Sequence, residues 1–410
     1  MSQLPRIGIY LDTWDFGGIA TFCENLANGL AARGHEVTIV LGRNFKQSDD
    51  SARAAFDEMN ATRSFGLEIL HVKNWARRQR MIRVVEAIRA QKFDVLFINN
   101  FDALLAAFNT LAASTRLISI GHGDHSHCYA QFLATQYFVH RHIAISREIL
   151  SRCRELCPPS YRDNVVLLPH GVANPTVNLN RFTREGDVGP LRVCFCGRFD
   201  FTDKRLQDLP TVWRAYQRRG GTGRLTLIGE GDVRRWLEEQ FAKEIEYGEV
   251  IFTGRLSGAA LSEAFANQEI VLSLSNWEGL GLAAIEAALH GAYPVLSAVR
   301  SGHRDIVDTL GFGTLCPVGD TEAFAEALRL AENQRVQLAT SRMARAHLAA
   351  QQYGIERMVT DYSALSEAVV LEPFRTPALH LGEVRGTLRL LERWKGNLFF
   401  KLSRRFRKMP

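Results

Sequence analysis

The chain has 410 residues, 46% of them hydrophobic and 23% charged, which gives room for two or three domains of ordinary size. This composition is close to that of an average soluble globular protein, and it excludes a collagen, a disordered chain and a polytopic membrane protein. The net charge of +6 is confined to residues 376–410, where nine basic and two acidic residues leave +7, so nucleic acid is not an expected partner.

The first half of the chain alternates short apolar runs with helical patterns. A first strand is predicted at residues 6–11, so the N-terminal segment is interpreted as the lead-in to a strand and not as a signal peptide. Gly17 and Gly18 follow this strand, and a helical pattern then extends to Gly34. Because the runs are apolar on both faces and are separated by helices, they indicate a parallel sheet covered on both sides. The other strands of this set are predicted at 36–41, 93–99, 116–121 and 142–146.

A second set of apolar runs follows, with strands predicted at 191–197, 224–229, 249–254, 270–275 and 292–297. Between the two sets, residues 173–190 are polar, contain Pro175 and Pro190 and show no periodicity, which is typical of a linker. The sequence therefore predicts an α/β fold with two Rossmann-like domains, at residues 1–172 and 191–339.

The turn after the first strand of each predicted domain carries groups suited to phosphate. Ligands of such sheets bind at the carboxyl ends of the strands. The backbone amides of Gly17 and Gly18 can approach an anion closely, although a plain tight turn is the alternative, and the absence of a GxGxxG pattern counts against a dehydrogenase. Arg198 and Lys204 follow the strand at 191–197, where both can reach a diphosphate; the alternative is a pair of solvated surface cations.

The most specific segment is residues 275–297. Glu278 is predicted in the loop after a strand, Gly279 and Gly281 leave the backbone open there, and Glu286 follows about one turn into a helix. A carboxylate near a helix start suits ligand hydroxyls beside a phosphate that the helix N–H groups bind. The elements of this segment follow in the order strand, Glu, Gly-x-Gly, helix, Glu, Gly, Pro. This order distinguishes the segment from a chance pair of glutamates.

On these residues the chain resembles family 4 of the glycosyltransferases, retaining enzymes of the two-domain GT-B fold, over roughly residues 5–365. The resemblance implies an α/β architecture in which two Rossmann-like domains face each other across a cleft, with a helix at about 340–370 that returns to the N-terminal domain. The segments that carry it are GGIATFCENLANGLAARGHEVTIV (17–40), ISIGHG (118–123), HIAISREIL (142–150), LLPHGV (167–172), FCGRFDFTDK (195–204), LTLIGEGD (225–232), VIFTGRL (250–256), EGLGLAAIEAALHGAYPV (278–295) and SGHRDIV (301–307).

The resemblance also implies roles for single residues. Arg198 and Lys204 are implied to neutralise the diphosphate leaving group, Glu278 to hold donor-sugar hydroxyls near the reacting carbon, and Glu286 to bind the ribose. His122 is implied to face the sugar and to belong to the catalytic set. The remaining donor-binding positions, largely main chain, are implied at Gly17, Gly18, Gly254, Arg255, Leu256, Gly279, Leu280, Gly281 and Leu282.

The implied function is the transfer of a sugar, with retention, from a nucleoside-diphosphate sugar to a hydroxyl of a glycan or glycolipid, in bacterial cell-surface polysaccharide or lipopolysaccharide assembly. Cations at the departing phosphate stabilise charge that develops in the transition state, so no metal and no other cofactor is expected. The alternative is a non-catalytic GT-B protein that binds a sugar or nucleotide as the partner of another glycosyltransferase.

Four positions depart from the pattern of the family. Leu280 stands where an aromatic residue is usual, Arg205 where glycine is usual, His170 in place of a frequent asparagine and Asp305 in place of a frequent glutamate. These differences concern the identity of the donor sugar more than the class of reaction.

A short segment with His122, Asp124, His125, His127 and Cys128 suggests zinc ligands. No second group of ligands lies at a fixed spacing from it, so a polar loop that faces the acceptor is the favoured interpretation and no metal site is predicted.

The seven cysteines are an odd number scattered through a long chain, which favours a reducing compartment over a disulfide framework. Cys194 and Cys196 share one strand face and are predicted to be small core residues. Cys153 and Cys157 lie one helical turn apart and are interpreted as a chance pair of thiols.

The C-terminal segment 383–410 is predicted to form an amphipathic helix that lies on an anionic bilayer, with cations on the opposite face. The alternatives are a helix packed on its own protein and a frayed, solvated tail. The expected partners are thus a nucleotide sugar, a glycan or lipid-linked glycan acceptor and the inner leaflet, for a cytoplasmic protein peripheral on the membrane. The apolar face consists of Leu388, Leu391, Trp394, Leu398, Phe399, Leu402 and Phe406.

Overall fold

The computed structural model describes residues 4–14, 18–43, 50–70, 77–99, 108–179 and 189–375. Gly17 and the basic segment 376–410 lie outside the described residues, and so do the predicted amphipathic helix and its membrane contact. Within the described residues, no helix is both long enough and apolar enough to cross a bilayer.

The chain divides into two compact units. The first unit contains the residues up to Ile145, then Ile149–Leu168 and the chain from Thr360 onward, and the second contains Ser146–Glu148 and Pro169–Val359. Each unit is built on its own parallel sheet, as the alternation of apolar runs and helices predicts.

The first unit holds a seven-stranded parallel sheet with the strand order β3-β2-β1-β4-β5-β6-β7. Its central strands are buried on both faces, and Ile9 of β1 pairs with Ile39 of β2 and with Phe97 of β4. The strands are β1 Ile7–Thr13, β2 Val37–Arg43, β3 Gly66–Ile69, β4 Val95–Asn99, β5 Arg116–Gly121, β6 Arg141–Ala144 and β7 Val165–Leu167. The helices between them are α1 Gly18–Ala32, α2 Asp50–Thr62, α3 Arg77–Gln91, α4 Phe108–Ala112, α5 Ser126–Thr135 and α6 Arg147–Leu156.

The second unit holds a six-stranded parallel sheet with the strand order β10-β9-β8-β11-β12-β13. Its strands are β8 Leu191–Cys196, β9 Gly223–Ile228, β10 Val250–Gly254, β11 Ile270–Ser273, β12 Tyr293–Ser297 and β13 Thr314–Cys316. Its helices are α7 Leu209–Arg218, α8 Arg234–Gln240, α9 Ala242–Glu246, α10 Gly258–Ala266, α11 Leu282–Leu289, α12 His303–Leu310, α13 Thr321–Asn333, α14 Arg335–Thr340 and α15 Arg342–Tyr353. A final helix, α16 Ile355–Val370, passes from the second unit into the first at Thr360.

The later part of α16 is a packing element of the first unit. The ring of Tyr362 lies 5.7 Å from that of Phe22 and 5.4 Å from that of Phe97, centroid to centroid. Ser363 makes a 2.8 Å hydrogen bond with Nε2 of the buried His35. The C-terminal helix is therefore part of the core that covers the first sheet.

The segment predicted as a linker packs on the second unit at its described ends. Val172 forms a β-bridge with Gly354, and the amide of Thr176 donates to Oγ of Ser262 over 3.0 Å. Leu179 is buried in a small cluster with Ala266 and Ala346. The boundary of the units consequently falls at Leu168, four residues before the predicted end of the first domain.

All seven cysteines are free thiols. Cys153 and Cys157 are buried and not bonded to each other, and Cys194 packs in a core cluster that Cys196 borders.

Trp213 is the largest fully buried side chain of the second unit, and its replacement by alanine tests the packing of that core. We expect Trp213→Ala to lower the free energy of unfolding by about 3–5 kcal/mol, because the lost contacts leave a cavity. The matched control is Val336→Ala, whose side chain is 80% exposed, with an expected change within about 0.5 kcal/mol. Urea unfolding followed by circular dichroism measures both, and equal transition midpoints would contradict the assignment of this core.

Candidate active site

The polar side chains of the second unit converge because three neighbouring strands end at one edge of the sheet. Strands β8, β11 and β12 lie side by side and run parallel. The loop after β8 carries Lys204, the loop after β11 carries Glu278, and α12 begins with His303 shortly after β12. The carboxyl edge of this sheet therefore gathers a cation, a carboxylate and an imidazole from distant parts of the chain.

The centre of the site is an ion pair between Lys204 and Glu278. Nζ of Lys204 lies 2.6 Å from Oε1 of Glu278, and Oγ of Ser275 donates to the same oxygen over 2.7 Å. Both partners of the pair are largely withdrawn from solvent. Among the described residues no hydrogen-bond partner is found for the other carboxylate oxygen, Oε2, which leaves it open to a ligand hydroxyl.

The surroundings of Glu278 keep its carboxyl ionised. Burial by itself raises the pKa of this group. The charge of Lys204, the neighbouring His303 and the two hydrogen bonds together outweigh burial, so that the pKa of Glu278 lies below its ordinary value. Glu278 is consequently an anion at neutral pH, able to accept hydrogen bonds.

Backbone hydrogen bonds fix the two loops that carry this ion pair. The carboxylate of Asp200 accepts from the backbone amides of Asp203 and Lys204 at 2.6 and 3.1 Å. Asn276, beside Glu278, donates through its backbone amide to the carbonyl of Asp203 and through its side chain to the carbonyl of Thr202, each over 2.8 Å. The approach of Lys204 to Glu278 is thus built into the backbone of both loops.

Arg205 occupies a position at which the resemblance leads one to expect glycine, and its backbone shows why. Its φ of 54° and ψ of 38° lie in the left-handed region, which favours glycine. The guanidinium compensates by hydrogen bonds to Asp208 at 2.5 Å and to Oδ1 of Asn276 at 3.2 Å. Arg205 therefore adopts a left-handed conformation here and is held in it by these hydrogen bonds.

Arg198 lies on the same loop but outside the ion pair. Its guanidinium binds Asp200 through Nε at 2.8 Å and Asp203 through Nη2 at 2.6 Å, and its side chain is 65% exposed. Both carboxylates are counter-ions of Arg198. The structure therefore brings Lys204 to Glu278 and leaves Arg198 at the rim of the loop.

The Gly-x-Gly segment turns the chain from the Glu278 loop into α11. Gly281 has a φ of 94°, and a Cβ there would lie 3.1 Å from Cδ2 of His303. The carbonyl of Gly279 accepts from Oγ of Ser301 over 2.8 Å, while Leu280 is buried. The first helical residue is Leu282. This close packing fixes the turn before α11, and the helix begins at Leu282, as the sequence predicts.

Glu286 lies on α11 and contrasts with Glu278. No hydrogen bond or ion pair is found for its carboxylate among the described residues. Burial raises its pKa to about 7. At neutral pH the group is therefore close to half protonated, so it can accept or donate a hydrogen bond.

The resemblance implies that the backbone around Thr253–Leu256 meets the nucleotide base, and this segment lies farther along the same edge. Strand β10 ends at Gly254, whose φ is 70°, and it is separated from β8 by β9. Arg255 is exposed in the following loop, and Leu256 packs against the core cluster around Cys194.

In the first unit, His122 follows β5 at the carboxyl edge of the other sheet. Nε2 of His122 lies 2.7 Å from Oδ1 of Asn99, the last residue of β4. The Asn99 side chain also donates to the carbonyl of Tyr10 over 3.3 Å, which orients Oδ1 as the acceptor, so Nε2 of His122 carries the proton. Burial first, and then the neighbouring His142, lower the pKa of His122 to about 3, and the ring is neutral at pH 7. Gly18 begins α1 in the same unit.

The polar segment after His122 divides among separate partners. Asp124 accepts from the hydroxyl of Tyr129 over 2.6 Å, His127 pairs with Gln131 at 2.9 Å, and Nε2 of His125 lies 3.4 Å from Sγ of Cys128. Among the described residues, no group of three or more His, Cys, Asp and Glu side chains is arranged to hold a metal ion.

Three further residues of the two sites were not singled out by the sequence. Ser275 and His303 contact or approach Glu278, and Asn99 holds His122. The usable signal for Asn99 is a polar residue at the end of an otherwise apolar strand. A comparable signal for His303 is an imidazole at the start of a helix just after a strand.

Comparison with known proteins decides the family. Residues 16–173 match the family described as Glycosyltransferase Family 4, and residues 190–333 match the family described as Glycosyl transferases group 1. This chain belongs to these glycosyltransferases.

Relatives of this glycosyltransferase agree on the fold. The glycogen synthase of Mycobacterium tuberculosis is 24% identical over 362 residues, which cover 78% of this chain and 85% of the relative. The crystal structure of Anabaena HepE in complex with UDP-glucose has a TM-score of 0.70 and 15% identity, and the match covers 89% of this glycosyltransferase and all of HepE. The lipopolysaccharide outer core galactosyltransferase WaaB has a TM-score of 0.66 and 16% identity over 88% of this chain and 99% of WaaB. These likenesses confirm the GT-B class, with two Rossmann-like domains on parallel sheets.

The raised pKa of Glu286 predicts a pH-dependent stability for this glycosyltransferase. Because the folded state holds this proton more tightly than the unfolded state, its stability falls as the pH rises from about 4.5 to the folded pKa of about 7, by at most about 3 kcal/mol. We expect Glu286→Gln to unfold at a higher urea concentration than the wild type at pH 8 and at nearly the same concentration at pH 5. If the difference in urea midpoint between the wild type and Glu286→Gln did not vary with pH, the raised pKa of Glu286 would be contradicted.

The control for this experiment is Glu278→Gln, because the pKa of Glu278 is shifted in the opposite direction. The stability that this carboxylate contributes is present above its unfolded pKa and is lost as the pH falls through the lower folded pKa. Glu278→Gln should therefore destabilise the protein at pH 8, where it leaves Lys204 without its partner.

Proposed function

We propose that this chain transfers a sugar from a nucleoside-diphosphate sugar to a hydroxyl of a glycan or glycolipid, with retention of the anomeric configuration. The observation that carries the proposal is the ion pair of Lys204 and Glu278, largely shielded from solvent at the carboxyl edge of the second sheet. It offers a cation for a diphosphate and an open carboxylate oxygen for sugar hydroxyls in one place.

The donor is proposed to bind along this edge. Lys204 and, at the rim, Arg198 attract the diphosphate, and the main chain at Gly279–Leu282 meets it at the N-terminus of α11. Glu278 accepts hydroxyls of the donor sugar through Oε2. Glu286 binds the ribose hydroxyls, and the loop at 254–256 meets the base. For the first unit, Gly18 at the start of α1 and His122 after β5 are proposed to act in donor binding and in catalysis, as the resemblance implies.

The proposed reaction is a front-face displacement. The bond between the anomeric carbon and the phosphate oxygen breaks, and a bond to the acceptor oxygen forms on the same face. The departing phosphate oxygen takes the proton of the acceptor hydroxyl. Negative charge grows on the phosphate in the transition state, so the charge of Lys204 stabilises that state more than the ground state. His122 is neutral at pH 7 and its Nε2 proton is donated to Asn99, so it does not act as a cation. The cations neutralise the leaving group, and we propose that no metal is required.

The names of the relatives support a glycan acceptor and a hexosyl donor. HepE was crystallised with UDP-glucose, WaaB is a lipopolysaccharide galactosyltransferase, and another relative is a glycogen synthase. We infer a place in bacterial cell-surface polysaccharide or lipopolysaccharide assembly, at the cytoplasmic side of the membrane.

Residues 383–410 of the basic segment are proposed to contact the anionic inner leaflet. The residues before it are held at the amino-terminal edge of the first sheet, because Arg141 at the start of β6 binds the carboxylate of Glu372 at 2.5 Å. Nε2 of His140 also lies 3.0 Å from the carbonyl of Pro373. His122 lies at the opposite, carboxyl edge of this sheet. The last described residues before the basic segment thus lie at the edge opposite to His122.

Donor turnover tests the proposed roles. We expect the purified protein to bind and slowly hydrolyse one member of a panel of UDP-, GDP- and ADP-sugars. Lys204→Met and Glu278→Gln should lower turnover about 10²-fold or more, because each removes a group that acts on the reacting centre. The matched control is Arg235→Met, which removes a cation whose side chain is 91% exposed and should leave turnover unchanged.

The outcomes of this experiment separate the alternatives. Equal turnover by the wild type and both site variants would refute the assigned roles. Binding of a donor without turnover under any acceptor condition would favour a non-catalytic partner of another glycosyltransferase. The anomeric configuration of the product, read from its proton coupling constants, tests retention, and unchanged activity in a chelator tests the proposed independence from metal.

Deletion of residues 383–410 tests the membrane contact. The full chain should sediment with vesicles that contain anionic lipid, and binding should weaken as salt is raised, since the contact depends on Lys and Arg near the surface. The shortened chain should stay in the supernatant and keep its donor turnover. Equal behaviour of the two chains towards anionic and zwitterionic vesicles would refute the contact.

A further inference from the structure

His303 is a buried histidine beside the site that the proposed transfer does not use. It is the first residue of α12 and is 0% exposed. Its Nδ1 donates to the carbonyl of Ser297 over 2.8 Å, so Nε2 is the ring atom that can gain a proton. Nε2 has no hydrogen-bond partner among the described residues and lies 3.9 Å from Oε1 of Glu278. An orphaned buried ring nitrogen faces the central carboxylate.

The oxygen that His303 faces is the one that Lys204 and Ser275 already bind. Nζ of Lys204 and Oγ of Ser275 both contact Oε1 of Glu278. A nucleoside diphosphate brings at least two negative charges, which compete with Glu278 for the ammonium of Lys204. When Lys204 turns to the diphosphate, the carboxylate of Glu278 keeps only the hydrogen bond from the hydroxyl of Ser275, in buried surroundings. A buried carboxylate without a counter-ion is strongly unfavourable.

We propose that His303 is a positioning residue that takes up a proton from solvent when the diphosphate of the donor draws Lys204 away from Glu278. The proton adds to Nε2, and the imidazolium then replaces the ammonium as the counter-ion of Glu278. No covalent bond to carbon or phosphorus changes in this step. The inference rests on the proposed binding of a nucleoside-diphosphate sugar at this site.

The charges around His303 favour this exchange. Burial lowers the pKa of the imidazole most strongly, Glu278 raises it and Lys204 lowers it. These two are the charged groups that act on His303 among the described residues, since the neighbouring Ser297 and Gly281 are uncharged. When the diphosphate neutralises Lys204, Lys204 no longer lowers the pKa of His303, whereas Glu278 still raises it. Donor binding therefore makes protonation of His303 more favourable.

Burial raises the pKa of Glu286 to about 7, so Glu286 can also exchange a proton near neutral pH, and the experiment must separate its proton from that of His303. The parent protein is therefore Glu286→Gln, compared with the double variant Glu286→Gln, His303→Asn. Asparagine keeps a donor for the carbonyl of Ser297 but has no titrating nitrogen. Calorimetric titration with UDP, GDP and ADP in buffers of different ionisation enthalpy then counts the protons taken up per nucleotide.

We expect the parent protein to take up a measurable fraction of one proton per bound nucleotide at pH 7 and the double variant to take up none. The affinity of the parent should fall by up to tenfold per pH unit as the pH rises, and that of the double variant should be flat. Lys204→Met on the parent background should also abolish the uptake, because Glu278 then lacks the ammonium before the nucleotide arrives and His303 is already protonated.

Three controls keep the test decisive. Urea unfolding shows whether each variant is folded, and His303→Gln serves as a second non-titrating replacement. His347→Asn removes an exposed histidine of α15 and should leave the proton count unchanged. An equal proton count in the parent and in both His303 variants overturns the inference while the proposed function stands. Failure of all three nucleotides to bind overturns the proposed function and this inference with it.

Discussion

The second unit depends on one costly interaction, the ion pair of Lys204 and Glu278 with little access to solvent. Removing two charges from water costs several kcal/mol per ion, and their attraction regains this only when the geometry is good and further hydrogen bonds are made. Ser275 supplies one such bond, and the backbone contacts of Asn276 hold the two loops together. A pair of this kind adds little to stability, which favours a role in ligand binding. The same argument supports the proposed competition of a nucleoside diphosphate for Lys204, since the pair is not deeply stabilised.

Two glutamates that lie close in sequence acquire opposite properties from their surroundings. Glu278 lies beside a cation and stays ionised. Glu286 is buried without a partner among the described residues, and burial raises its pKa to about 7. One fold thus prepares an anionic hydrogen-bond acceptor, proposed to bind the donor sugar, and a second carboxyl that can donate as well as accept. For a vicinal diol such as that of ribose, a carboxyl group with both abilities is well suited, because each hydroxyl is also both donor and acceptor.

The central strands of both sheets could be predicted because they are continuous apolar runs. The short strands β3, β7 and β13 were missed, since partly exposed edge strands such as Gly66–Ile69 carry no such run. The position of Glu278, the Gly-x-Gly turn and the start of α11 could also be predicted, because they are encoded within one short segment. The partners of the charged groups could not be predicted from the sequence. Nothing local in the sequence shows that Arg198 pairs with Asp200 and Asp203 while Lys204 reaches Glu278, or that His303 lies behind that carboxylate.

The helix α11, which carries Glu286, is held in place at both ends. This limits which parts of the site can move. At its start, the left-handed Gly281 packs against His303. At its end, the buried Arg342 donates to the carbonyls of Ala266 and His290, and Arg345 donates to the carbonyl of Gly291. Cations at a helix C-terminus complement its dipole, and here burial lowers the pKa of each guanidinium only to about 10, so both stay charged. The backbone of α11 is fixed in this way. In the proposed scheme the site therefore responds to the donor by moving two charges, the ammonium of Lys204 and a proton. This argument supports the proposal that the imidazole behind Glu278, whose Nε2 has no hydrogen-bond partner among the described residues, has a functional role.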